Sequence, residues 1–141
     1  MKRLACLLLV STVLLAACGN DEPTDTTPTV TPADPTTTEI WEGTLAVGAT
    51  RFYSFSVVQY GTVNLTLTSL SDASGEVTTP VQVSIGFPAG TGCTATSSAT
   101  TAAGTDFQVS NIYDPGVWCV RIQDVGNLVG PATFRLAIAH P

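Results

Sequence analysis

Apolar and polar residues alternate in short runs from residue 39 onwards, and this alternation limits the possible folds more than any other feature of the chain. After Gly61, for example, Val63, Leu65 and Leu67 alternate with amide and hydroxyl residues. Successive side chains of a β-strand point to opposite faces, so such a run predicts a half-buried strand. No stretch with helical periodicity competes with this pattern. The chain is therefore predicted to be all-β.

Turn residues separate about seven such runs, at the spacing typical of a sandwich or barrel. The runs cover residues 40–45, 51–58, 62–70, 80–87, 107–109, 117–123 and 132–139. Each run has one polar face, which predicts antiparallel sheets that are solvated on one side, and two such sheets can bury their apolar faces together. The prediction is an antiparallel β-sandwich over residues 39–141. Residues 90–104, rich in small side chains, are predicted to be a mobile surface loop.

The first 17 residues have the form of a signal peptide. Lys2 and Arg3 precede the apolar residues 4–17, a stretch too short to span a bilayer comfortably. It ends in Leu15-Ala16-Ala17-Cys18, which resembles the bacterial lipobox. The resemblance implies cleavage before Cys18, acylation of that cysteine and stable anchoring in the lipid bilayer. The alternative is an ordinary secretory signal in which Cys18 is incidental.

Two further features concern export. Gly19 stands where an aspartate in proteobacterial lipoproteins often causes retention at the inner membrane, so the lipobox resemblance implies the outer membrane if the source has one. Residues 18–38, the acylated cysteine and a Thr/Pro-rich stretch after it, are predicted to be a disordered tether, because so few apolar side chains cannot offset the entropy of ordering. The alternative for this stretch is a site of O-glycosylation or of wall contact.

Four cysteines fit an exported protein. Cys6 leaves with the signal peptide and Cys18 carries lipid, which leaves Cys93 and Cys119 for one intramolecular disulfide. Outside the cytosol this bond should form and persist, and it should stabilise the fold by roughly 3.5 kcal/mol. The alternative is two unpaired buried thiols. A zinc site is disfavoured, since two thiols and one distant histidine do not make a zinc shell.

The order of the predicted strands resembles the bacterial pre-peptidase C-terminal (PPC) domain family. The segments that carry the resemblance are Gly43-Thr44-Leu45, Phe52-Tyr53-Ser54-Phe55, residues 61–67, residues 116–122 and residues 133–138. The resemblance implies a jelly-roll-like sandwich that usually accompanies secreted peptidases as a non-catalytic appendage. No peptidase accompanies it on this chain, and the cysteine pair is not part of the general family pattern.

Charge and catalytic residues exclude several function classes. After cleavage only Arg51, Arg121 and Arg135 oppose 11 acidic residues, so nucleic acid is not an expected partner. The single histidine, His140, is second from the C-terminus, where chains are usually mobile, and no lysine remains as an alternative base. The chain is therefore not expected to be an enzyme.

Three aspartates are candidates for a calcium site. Asp106, Asp114 and Asp124 flank the last three predicted strands, where their carboxylates could converge at one loop end. Ca²⁺ prefers such oxygen ligands. The alternative is that they form turns, the usual role of an aspartate beside glycine or proline. No other cofactor is expected.

Aromatic residues at strand starts and turns are candidates for a binding surface. Trp41, Tyr60 and Tyr113 occupy such positions, where exposed rings could contact a glycan or a protein. Trp118 alternates with Val120 and Ile122, which favours a place in the core.

These observations predict a membrane-anchored, non-catalytic envelope lipoprotein. Its sandwich is expected to bind a glycan or a protein partner at the cell surface or in the periplasm. The alternatives are a structural envelope lipoprotein with no specific ligand, and a calcium-stabilised accessory domain of a secreted hydrolase system.

Overall fold

The computed structural model describes residues 28–141, which form nine β-strands in two antiparallel sheets. Sheet A has the order β1-β9-β3-β4, with β7 also paired to β3, and sheet B has the order β2-β8-β5-β6. The strands are β1 (Thr37–Leu45), β2 (Thr50–Val57), β3 (Gly61–Asp72), β4 (Gly75–Glu76), β5 (Val81–Ala89), β6 (Gly92–Thr101), β7 (Val109–Tyr113), β8 (Gly116–Gln123) and β9 (Ala132–His140).

The eight longer strands follow the jelly-roll arrangement. Their two spatial orders are β1-β9-β3-β7 and β2-β8-β5-β6, so the chain passes from one sheet to the other at nearly every turn. This is the double-sheet arrangement made of two Greek keys. The prediction of an all-β, jelly-roll-like antiparallel sandwich is confirmed.

The inner faces of the two sheets meet in one apolar core, built by the predicted alternation. Sheet A contributes inward side chains of β3 and β9, and sheet B those of β5 and β8, with relative exposures near zero. Burying one such side chain stabilises the fold by about 1.5–3 kcal/mol. Trp118 is half-buried and packs against this core. The largest fully buried residues are Leu45, Leu65, Leu67, Leu70, Ile85, Ile122, Leu136 and Ile138.

The structure has nine strands rather than about seven, and the main addition is β6. The prediction of a mobile loop at residues 90–104 was wrong, because β6 pairs with β5 along its whole length. As an edge strand it covers little of the core, so its inward positions hold small residues such as Ser97 and Ala99. The contrast between large apolar and polar residues that marks the other strands is therefore absent here.

The sandwich begins earlier in the chain than Glu39. The Ala33 N–H donates to the carbonyl of Tyr60 (3.0 Å), and the Ala33 carbonyl accepts from the Thr62 N–H (2.9 Å). Ala33 thus lies parallel to β3 beside Gly61, where a Cβ would overlap the Ala33 carbonyl. The predicted tether, residues 18–38, is therefore too long at its C-terminal end. The pairing uses backbone groups alone, so side-chain composition could not reveal it.

The predicted signal peptide, Cys18 and residues 19–27 of the predicted tether lie outside the described residues. Across residues 28–141, the structure contains no helix of the length and apolar character that a membrane crossing requires.

The predicted disulfide between Cys93 and Cys119 is present. It joins β6 to β8 across the intervening strand β5, in which Gly86 pairs with Cys119. A β-bulge in β6, with Thr96 as the extra residue, lies opposite Ile85 and Gly86, and the backbone of Thr94 lies so close that a Cβ on Gly86 would overlap it. The disulfide therefore fixes the hairpin tip over the outer face of sheet B.

Candidate functional site

A groove of about 490 Å³ lies on the outer face of sheet A. Its volume lies in the range of small-ligand sites. We call it the sheet A groove, and it is lined by Glu42, Gly43, Thr44, Ser69, Thr133, Phe134 and Arg135. Phe134 is only 2% exposed, because its ring faces the core. The side chains that project outward into the groove are therefore polar, although carbon atoms make up about half of its accessible surface.

Strand register brings the polar residues of the groove together. Glu42 and Thr44 of β1 lie directly opposite Arg135 and Thr133 of β9. On the other side of β9, Ser69 of β3 pairs with Arg135. These three strands alternate inward and outward, so side chains from distant parts of the chain project from one face of the sheet.

A β-bulge in β3 shapes the groove. The register with β9 shifts between Leu67 and Ser69, and the extra residue is Thr68. The Thr68 hydroxyl donates to the carbonyl of Arg135 (3.1 Å), which fixes the bulge to β9. A bulge increases the local twist and bends the strand that carries it. It curves the sheet at the place where Ser69 and Arg135 meet.

The charged groups of the groove remain accessible. Arg135 Nη1 lies 3.4 Å from Glu42 Oε1, and the two side chains are 50% and 62% exposed. An ion pair as solvated as this one contributes about 0–1 kcal/mol, so a ligand can compete for either partner. The Thr133 hydroxyl donates to the carbonyl of Ser71 (3.2 Å) and lies 3.3 Å from the Ser71 hydroxyl. The groove thus offers both donors and acceptors.

A smaller hollow extends the polar surface along sheet A. Its volume is about 240 Å³, and it shares Ser69 with the sheet A groove. From there it continues along the end of β3 to Glu76 of β4 and to Gly104. The two hollows thus meet at Ser69, near the end of β3.

His140 is not at a mobile terminus, contrary to expectation. It is 5% exposed, and its Nε2 lies 3.1 Å from Glu39 Oε1. Glu39 Oε2 also accepts from the Tyr53 hydroxyl (2.6 Å), which raises the pKa of Tyr53. Glu39 of sheet A thereby links to Tyr53 of sheet B and closes one open side of the sandwich.

This histidine has the neighbours of a structural residue. Its Nδ1 lies 3.2 Å from the Pro141 carbonyl, and its ring packs against Phe55 at a centroid distance of 5.3 Å. A general base needs one nitrogen within reach of the proton that it abstracts. In the described residues both ring nitrogens of His140 already face an oxygen, and no serine or cysteine is among their contacts.

The three predicted surface aromatics do not form one surface. Trp41 is half-buried and packs on Phe134 (4.8 Å between ring centroids) and on Tyr53 (5.8 Å). Tyr113 is 5% exposed against Trp118, and burial raises the pKa of its hydroxyl. Tyr60 lies half-buried in the turn before β3. Trp41, in the middle of β1, and Tyr113, at the end of β7, thus pack against other aromatic rings instead of forming an exposed surface.

The three predicted calcium ligands are not brought together. Asp114 precedes β8 and Asp124 follows it, so they lie at opposite ends of a strand of eight residues, which spans roughly 23 Å. Asp106 lies between β6 and β7 and is exposed. Among residues 28–141 no group of three or more His, Cys, Asp or Glu side chains is arranged to hold a metal ion. The geometry gives the calcium hypothesis no support.

Asp124 organises a loop instead. Its Oδ1 accepts from the N–H groups of Gly126, Asn127 and Leu128 (2.9–3.1 Å), and its Oδ2 accepts from the Gly48 N–H (2.7 Å). The Gly48 N–H contributes most to holding the carboxyl pKa below its ordinary value. Asp124 thus ties the β8–β9 loop to the β1–β2 turn with both of its oxygens.

The groove residues were not among the sequence candidates. The missing information is the register, which pairs Glu42 with Arg135 across 93 positions and Ser69 with Arg135 across 66. One signal was present: Glu42 and Arg135 are the charged residues at the outward-facing positions of β1 and β9. Opposite charges often face each other across strands, but their pairing required the order of the sheet.

Comparison with known proteins found no matching family model, no similar curated protein and no similar solved structure. The resemblances to the lipobox and to the PPC domain therefore stay predictions.

Proposed function

We propose that this chain is a membrane-anchored, non-catalytic envelope lipoprotein whose sandwich binds a glycan in the sheet A groove. The observation that carries this proposal is the groove itself. Hydroxyl groups of Thr44, Ser69 and Thr133 lie beside a solvated Glu42–Arg135 pair on a curved sheet face. Saccharides present many hydroxyls, which carboxylate and guanidinium groups bind through charge-assisted hydrogen bonds.

A glycan fits this surface better than a protein partner does. Protein interfaces derive most of their affinity from buried aromatic or large apolar side chains at their centre. The one aromatic lining residue of the groove, Phe134, is buried in the core. The functional groups of its outward side chains are small hydroxyls and two opposite charges, set among aliphatic carbon atoms, which suits a ligand that carries both hydroxyl and C–H groups.

The binding test uses isothermal titration against glycans that an array of envelope polysaccharides first identifies. Arg135→Gln and Thr133→Val are expected to weaken binding at least tenfold, since each removes a hydrogen-bonding group from the groove. The matched control is Thr100→Val, because Thr100 is an exposed strand threonine on sheet B. Equal affinity in all three variants would contradict the groove assignment. Absence of binding to every array glycan would favour the purely structural alternative.

The anchor is supported by the lipobox-like residues 15–18 that follow a charged start and an apolar stretch. Two or more acyl chains anchor a protein stably. In a bacterial host, Cys18→Ser is expected to abolish incorporation of labelled palmitate and release the chain from the membrane fraction. Cys6→Ser is the matched control and should keep both. Palmitate incorporation by the Cys18→Ser variant would contradict the anchor. The outer membrane is the proposed location where the source has one, because Gly19 follows the cysteine.

The proposal of a non-catalytic role is supported by the surroundings of His140. Its ring faces oxygen atoms at both nitrogens and is almost fully buried. The PPC resemblance also implies a non-catalytic domain. The test is incubation of the protein with a glycan that binds in the groove, followed by analysis of the products. Hydrolysis of the glycan would contradict the non-catalytic role.

A further inference from the structure

The N-terminal part of the chain joins the sandwich at one particular end, which we call the proximal end. Ala33 lies beside Gly61 there, and Thr36 donates its N–H to the carbonyl of His140 (3.0 Å). The β2–β3 turn and the β7–β8 turn lie at the same end, because β3 begins beside the end of β7. The opposite, distal end carries the Asp124 loop and the β1–β2 turn.

Exposed apolar side chains of sheet B collect at the proximal end. Val58 is 74% exposed and Val117 is 60% exposed. Ser56 of β2 pairs with Val117 of β8, and Val58 lies two residues beyond Ser56 on the same face. Val58 is therefore a diagonal neighbour of Val117, and it lies beside Pro115, which is also exposed. Pro88, which is exposed, lies two residues beyond Gly86 on the neighbouring strand β5, and Val117 lies two residues before Cys119, the partner of Gly86, so Pro88 and Val117 share this face. We call these four residues the proximal patch.

The proximal patch lacks charge, although the chain is strongly acidic. The closest charged residue along the chain is Asp114, and no lysine or arginine belongs to the patch. A surface of this kind does not require anionic lipids, and it fits the headgroup–acyl boundary of a zwitterionic bilayer. Four side chains bury too little area to hold a free protein on a membrane against the entropic cost of association.

The short connection to Cys18 lowers this entropic cost. Ala33 follows Cys18 by 15 positions, so a fully extended connection reaches roughly 50 Å. If Cys18 is acylated, the proximal end stays within this distance of the bilayer. A tether of that length gives a high effective concentration, at which weak contacts become populated.

We propose that the proximal patch docks on the lipid bilayer in which the acylated Cys18 is anchored. This inference rests on the lipid anchor of the proposed function. In the docked arrangement the sheet A groove, which lies toward the distal half of β1 and β9, points away from the membrane.

The test places one environment-sensitive fluorophore on the acylated chain in phosphatidylcholine vesicles. Val58→Cys carries it in the patch, and Val129→Cys, at a position that is 97% exposed in the β8–β9 loop, is the matched distal control. The intact disulfide is verified first by mass spectrometry. Nitroxide-labelled phosphatidylcholine should quench the label at position 58 at least twofold and leave the label at position 129 unchanged.

The outcomes separate the docking from the anchor. A chain that fails to float with the vesicles overturns the anchor, and with it the docking. A chain that floats while both labels respond equally, or while only position 129 is quenched, overturns the docking alone. A second variant, Val58→Asp with Val117→Asp, should abolish quenching of a label at Pro115→Cys, and undiminished quenching there would also overturn the docking.

Discussion

Removal of the disulfide is expected to lower the free energy of unfolding by about 3.5 kcal/mol. The perturbation is the double variant Cys93→Ala with Cys119→Ala. The bond joins residues that are 26 positions apart. For a loop of this length, the chain-entropy model gives an entropy change of about −12 cal/mol/K in the unfolded chain, which is the stated free energy at 25 °C.

The assay is urea-induced unfolding of the oxidised chain, followed by the fluorescence of Trp41 and Trp118. The double variant should unfold at lower urea, and its slope m should rise because its unfolded state exposes more surface. In a thermal melt the midpoint should fall by roughly 10–20 °C. The oxidised chain treated with reductant should reach the same lower stability.

A particular result would refute the loop-closure reasoning. A loss below about 1 kcal/mol with an unchanged m-value would show that the bond does not restrict the unfolded chain. A loss above about 6 kcal/mol would place the effect in the native state instead. In that case the disulfide would be needed to hold the tip of the β5–β6 hairpin in place in the native state. The backbone of Thr94 lies directly against Gly86 there, with no side chain between them.

Two further predictions concern positions that the fold uses closely. Gly86→Ala is expected to lower the free energy of unfolding in urea by at least 2 kcal/mol, because its Cβ would overlap the backbone of β6. Gly92→Ala, which has space around its Cβ, is the control and should change stability by no more than about 0.5 kcal/mol. Equal effects of the two substitutions would contradict the close approach of β6 to Gly86. Asp124→Asn should lower the melting temperature at pH 7. The folded pKa of Asp124 lies below its unfolded value of 3.8, so the stabilisation is present above pH 3.8 and is lost as the pH falls through the folded pKa. The difference between wild type and variant should therefore shrink in melts below pH 3.8, and a difference that persists there would contradict the role of the carboxylate.

The fold could be predicted because its core obeys a local rule. Leu65 and Leu67 on β3, like Val83 and Ile85 on β5, alternate with polar residues, and all four are fully buried. Alternation with a period of two depends only on neighbouring residues, so it is visible without knowledge of the partner strand. The fold class followed from it.

Two elements escaped prediction because their pairing does not depend on large side chains. β6 fills its inward positions with small residues such as Ser97 and Ala99, and the bridge at Ala33 uses only backbone groups. Both lie at the periphery of a sheet, where little core has to be covered. Apolar periodicity therefore carries no signal for them.

The candidate site escaped prediction because it depends on register. Aspartates and aromatic residues attracted attention as residue types, yet Asp124 accepts four backbone N–H groups and Tyr113 packs in the core. The groove instead combines Glu42, Ser69 and Arg135, which only the order β1-β9-β3 makes neighbours. These residues form a candidate site only because the order of the strands makes them neighbours.

The jelly-roll arrangement also separates the proposed anchor from the proposed binding site. The N-terminal chain joins beside Gly61, where β3 begins, whereas the groove lies toward the end of β3, at Ser69. Because β3 has twelve residues, these places are separated by most of the length of a strand. Attachment and ligand binding should then vary independently. Substitution of Arg135 should change glycan affinity without moving the protein, and substitution of Cys18 should move the protein without changing its affinity in solution.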